Sequence, residues 1–191
     1  MLDTGSLSWA VTATALVLLM TPGLAFFYGG LVKAKSVVSM MMMSFGSIAL
    51  VGVLWVLYGY SMSAVENPTD FAGSPFATFG LEGLDNDGLI GAAFGATFAI
   101  ITIALISGAI ADRAKFGSWL IFAGVFATFG YFPVAAWVWG GGWIMELGTW
   151  FGTADVIDYA GGTAVHINAG AAALALAIVL GKRFGFAKGI M

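Results

Sequence analysis

The chain has 191 residues, 60% hydrophobic and 9% charged, with a mean hydropathy of +0.98 and a formal net charge of −3. A soluble domain covers its surface with about a quarter charged residues, so seven basic and ten acidic side chains exclude a globule in water and place most of the chain in lipid. Zero cysteines and a single histidine exclude a disulfide framework, a zinc or iron–sulfur cluster and a His-rich metal centre, and no cofactor is implied.

The first apolar run extends from about Leu7 to Leu31 and is interrupted by Thr21-Pro22-Gly23, a break that a membrane helix tolerates. It has Asp3 where a signal peptide has basic residues, and it is too long for a signal-peptide core, so it is expected to be a retained span. The second run, about Ser36 to Ser63, is long enough to cross with tilt. Glu66 to Gly88, with two prolines and five acids, is a polar connection. The third and fourth runs cover about Leu89 to Ala111 and Phe116 to Trp139. Gly140 to Ile157 contains Trp143, Trp150 and Phe151, which suit a re-entrant or surface-lying stretch at the interface. The fifth run covers about Ala160 to Leu180. Each run can span a hydrocarbon core of about 30 Å at about 1.5 Å per residue.

Every lysine and arginine falls after the first, third or fifth run: Lys33 and Lys35, Arg113 and Lys115, then Lys182, Arg183 and Lys188. With Asp112 that side carries +6, while the other nine acids lie on the opposite side or at its boundary. Basic connections stay cytoplasmic. The sequence therefore predicts five spans, an outer N-terminus and a cytoplasmic C-terminus in a multi-pass cell-membrane protein.

His166, in the fifth run, is the ionisable residue that most invites a function, because an imidazole in a span needs a partner or a pathway. In its neutral form it offers one donor and one acceptor, for a ligand or for a neighbouring helix. Asn168 points away from it and suits a tie between helices. Asp158 stands where the fifth span begins, as a helix cap or as a ligand. Phe94 and Phe98, four apart, share one helix face, and Trp139 closes the fourth span; such rings suit either an interfacial belt or a site for a small cation. Gly91 with Gly95, and Ala169 with Ala173 and Ala177, predict close helix approach. Among these residues there is no hydrolase triad or phosphate loop, and the few basic residues, divided among three connections, exclude a nucleic-acid surface.

The stretch Asp158-Tyr159-Ala160-Gly161-Gly162, then Val165-His166-Ile167-Asn168-Ala169-Gly170, Ala173-Leu174, Ile178-Val179 and Gly181-Lys182-Arg183, resembles the signature of the ammonium transporter family (Amt/Mep/Rh). Thr21-Pro22-Gly23 with Phe27-Tyr28-Gly29-Gly30-Leu31, Trp55 to Gly59, and Val138-Trp139-Gly140-Gly141-Gly142 agree with it, so the resemblance covers nearly the whole chain.

The resemblance implies an all-α membrane bundle whose residues 1–191 form the first of two inverted five-helix repeats, the second being absent. It implies a non-enzymatic homotrimer with a narrow apolar pore in each subunit, conducting ammonium or ammonia, with methylammonium as an analogue. A cytoplasmic PII-type protein is the regulatory partner such a family suggests. By position, Phe94 and Trp139 resemble the walls of an outer cation site and Phe98 one of two gating phenylalanines. His166 resembles the first of twin pore histidines, and Asp158 the aspartate beneath the recruitment site. The expected whole is a chain roughly twice as long, of which this is a fragment or truncated frame. Two inverted copies replacing the missing half are not expected, because inversion would expose one copy's basic residues on the wrong side. An ammonium-sensing or non-conducting truncated membrane subunit is the alternative function.

Overall fold

A computed structural model describes residues 3–183 and Phe186; Lys188, assigned above to the basic side, lies outside the described residues. Among the described residues the chain is all helix and turn, with no strand. Five helices are long and apolar enough to cross a membrane: α1 Thr4–Gly30, α2 Ala34–Met62, α3 Asn86–Ile110, α4 Phe116–Trp139 and α5 Gly162–Leu180.

Local chemistry accounts for the helix starts. Asp3 accepts the Ser6 amide and so begins α1 at Thr4, a little before the apolar run. Pro22 lies inside α1, which continues through it. Asp85 caps α3 by accepting the Gly88 amide at 2.8 Å. The last of the acidic connection's charges therefore belong to a helix start.

Half of the apolar window of α3 is buried within the bundle, against 11% for α1 and 17% for α5. The core lies around α3, between α2 and α4, and is closed by Trp119, Tyr131 and Phe132, each at most 1% exposed. A long outer face of α1 and α5 has no partner within the described chain. Close approach is achieved where aromatic rings replace missing side chains: a methyl group at Gly59 would stand 2.5 Å from the Phe132 ring, and one at Gly95 2.7 Å from Trp55. Gly91, also expected at a tight contact, faces open space instead.

The two ends of the bundle differ in charge. At one end Tyr28 donates to the Leu105 carbonyl at 3.0 Å, Arg113 donates to the Gly181 and Ala109 carbonyls, and Arg183 stands 4.0 Å from Asp112. At the other, the 63–85 connection folds back on the helix ends. Trp137 donates to the Phe71 carbonyl at 2.9 Å, and the Ser61 and Thr78 hydroxyls pair at 2.6 Å. The segment after α4 also turns back, with a short helix at Leu147–Trp150 and exposed Trp150 and Phe151.

Candidate functional site: an aromatic rim above a histidine groove

The site begins with Asp158. The first amides of a helix have no partner in the helix itself, and here one carboxylate serves four of them. Oδ1 accepts from Gly161 at 2.7 Å and Gly162 at 2.9 Å, and Oδ2 accepts from Thr163 at 2.9 Å and Ala164 at 3.0 Å. Desolvation pushes the Asp158 carboxyl up, but the bonds from Ala164, Thr163, Gly161 and Gly162 outweigh it and hold the group below the ordinary aspartate value. The chain can turn so sharply because Gly161 has φ +86°, and a methyl group there would meet Val165 at 2.5 Å. Of the two roles open to Asp158 on sequence, the geometry occupies its oxygens with capping.

The cap sets the register of His166. The Gly161 carbonyl accepts from both Val165 and His166, each at 2.9 Å, and the turn Gly162–Ile167 is π-helical. Such turns insert an extra residue and re-aim side chains, and they recur at functional sites. His166 is consequently exposed on the open face of α5, and its ring bonds to no other described residue. It lines a groove of about 470 Å³ with Phe98, Ile101, Leu105, Val165, Leu24 and other apolar residues of α1, α3 and α5. The helix-tie role for His166 is thus not realised among the described residues. Nor is the tie expected of Asn168, whose buried Nδ2 has no partner among the described residues.

Above the groove the rings form a chain. Phe94 and Phe98 meet edge to face with centroids 4.9 Å apart, and Phe98 meets Trp139 at 5.6 Å and 71°. The Trp139 indole N–H donates to the Asp158 carbonyl at 2.7 Å. Asp158 therefore holds the first turn of α5 through its carboxylate and the indole through its backbone. All five residues singled out on sequence lie along one path, Phe94 to Phe98 to Trp139 to Asp158, with His166 below Phe98 in the groove.

A second aromatic centre escaped the residue-by-residue reading. Trp55, 4% exposed, donates to the Ala92 carbonyl at 2.9 Å and fills the gap beside Gly95. Its ring packs on Phe132 at 5.7 Å and Tyr131 at 6.5 Å. Trp55 and Tyr131 belong to two further π-helical turns, Trp55–Gly59 and Ala127–Tyr131. A buried Trp needs an acceptor for its N–H, and Gly95 on a neighbouring apolar run was the available sign of where the ring would lie.

These features define a polytopic all-α membrane protein with an aromatic rim over an apolar groove bearing one histidine. The chain belongs to the ammonium transporter family: residues 8–190 match the model described as Ammonium Transporter Family, a family of transporters rather than enzymes. It is 51% identical to an ammonium transporter of Mycobacterium tuberculosis, covering 96% of this chain and 44% of that protein. It is 45% identical to an ammonium transporter of Aquifex aeolicus, covering 95% and 43%. The crystal structure of Candida albicans Mep2 superposes with a TM-score of 0.80 at 31% identity, over 95% of this chain and 40% of that one. The chain therefore spans less than half the length of these relatives.

Proposed function

We propose that this chain supplies one wall of a pore that conducts ammonium or ammonia across the cell membrane. The observation that carries the reading is the continuous path from the Phe94–Phe98–Trp139 rings into the groove lined by Phe98 and His166. Ring faces attract a small cation without fixing it by a full charge. The apolar groove below makes it costly to carry that charge further. Release of the proton to water at the outer rim near Phe98 avoids the cost, and the neutral amine then passes His166, whose ring nitrogens bond to no other described residue and can receive it.

The open faces of α1 and α5 are where a second, inverted repeat completes the pore in a full-length chain. The acidic end faces outward, with the N-terminus outside and the C-terminus in the cytoplasm, as the separation of basic and acidic residues supports. The functional unit is a homotrimer of such pores, and the basic end is the face available to a cytoplasmic PII-type regulator.

Uptake of labelled methylammonium by proteoliposomes containing the folded full-length protein tests the reading. Saturable uptake that is competed by ammonium is expected. His166→Ala should alter its rate or selectivity, and absence of uptake by the folded wild-type protein would refute transport.

A further inference from the structure

A second cavity, of about 820 Å³, opens at the acidic end between α2, α3, α4 and the 63–85 connection. It is distinct from the groove: Phe98 and His166 line the groove, whereas neither they nor Phe94 lines this cavity. Tyr60 and Trp139 contribute partly exposed aromatic surface to it, backed by the buried rings of Trp55 and Tyr131, and Glu66 and Asp70 contribute carboxylates. Among the described residues Glu66 has no partner, and Asp70 receives only the long contacts from Asn67, at 3.2 and 3.4 Å through one oxygen. No basic residue lines the cavity. Its acids therefore share the cavity with two accessible aromatic rings and no cation of the chain.

We propose that this cavity binds an organic ammonium ion larger than the transported species, at a site beside the pore entrance. Aromatic faces with carboxylates close by are the chemistry that recognises alkylated ammonium groups, and a volume of this order is that of a site for a small organic molecule, far more than a bare ammonium ion fills. The partly exposed rings of Tyr60 and Trp139 supply the ring contacts. Glu66 and Asp70 supply the charge, and the paired Ser61 and Thr78 hydroxyls tie the end of α2 to the 63–85 connection in the cavity wall. Trp139 is shared: its ring meets Phe98 at 5.6 Å on the pore side while lining this cavity. An occupant thus bears on the ring over which the substrate enters.

Tetraethylammonium is the suitable probe, because it has no proton to lose and is too bulky for a narrow pore, so its binding reports the cavity and not conduction. Calorimetric titration of the purified protein should give saturable binding that weakens as salt rises. Glu66→Gln and Asp70→Asn, surface changes that preserve shape, should each weaken it roughly three- to fivefold, and Tyr60→Leu roughly three- to tenfold. Glu82→Gln, an acid outside the lining, should leave it unchanged. Absence of saturable binding to the wild-type protein would overturn the proposal. So would equal affinity in the Glu66→Gln/Asp70→Asn double variant, or loss of binding in Phe98→Ala with the double variant unaffected, which would move the probe to the pore side. Because the titration does not depend on flux, it fails or succeeds independently of the transport reading.

Discussion

Replacing Asp158 separates a capping role from direct contact with the cation. The wild-type carboxylate accepts four amides at 2.7 to 3.0 Å. In Asp158→Ala all four lose their acceptor, and the favourable interaction of the negative charge with the start of α5 disappears. Loss of an N-cap costs about 0.5–2 kcal/mol and the charge–dipole term about 0.3–1 kcal/mol. Gly162 is exposed and water can reach its amide, so the total is about 2 kcal/mol. Asp158→Asn retains one carbonyl oxygen, which can serve one pair of amides, and should lose about half as much. Unfolding in mixed micelles followed by tryptophan fluorescence measures the loss, and methylammonium uptake by the same preparations measures function. Capping predicts that the two fall together, Ala more than Asn, since His166 and the Val165 turn are set by this cap. If Asp158→Ala unfolds like the wild type yet loses uptake, the carboxylate acts on the cation itself and the argument fails.

Three further outcomes follow from the geometry. Because the Asp158 carboxyl is held below its ordinary value of 3.8, its stabilisation is fully present above that pH and is lost as pH falls through the lower folded value; melting profiles between pH 7 and 5 should show no Asp158-dependent change, and the wild type should lose its advantage over Asp158→Asn only below about pH 4. Gly59→Ala should destabilise by about 1–3 kcal/mol, because its methyl would lie 2.5 Å from the Phe132 ring, whereas Gly117→Ala, with nothing within 4 Å, should be neutral or stabilising in the same melts. Since the sequence lacks cysteine, single variants report orientation directly: Glu82→Cys should react with an impermeant maleimide in intact cells and Lys35→Cys only after permeabilisation, and the reverse pattern would invert the proposed topology.

Much of this architecture was legible in the sequence because lipid imposes length and apolarity on each span. Five runs became five helices, and the basic and acidic connections gathered at opposite ends. Departures arose where one atom or one hydrogen bond decides. Asp3 and Asp85 extend helices by capping, which hydropathy does not register. The turn around Gly161 is π-helical because one carbonyl accepts two amides, and no periodicity in Gly162–Ile167 announces it. Phe94 and Phe98 could be placed on one face from their spacing alone, but their contact with Trp139, and the bond from Trp139 to Asp158, join α3, α4 and the start of α5 across large sequence separations. Trp55 was harder still, since its importance lies in the space left by Gly95 on another helix.

The same distinction explains why His166, placed by the sequence within a span, is exposed in the structure. An apolar run states that a residue lies within the membrane, not that a protein neighbour covers it. In α5 Ala169, Ala172 and Ala173 face inward, Ala169 4% exposed, while His166 shares the outer face with Leu174 and Ile178, 63% and 72% exposed. Lipid would satisfy the two aliphatic residues but not an imidazole, which has a donor and an acceptor to place. In the proposed transport role this ring, set over the groove by a π-helical turn that Asp158 caps, faces what moves along the groove, and the second repeat proposed above covers its open side.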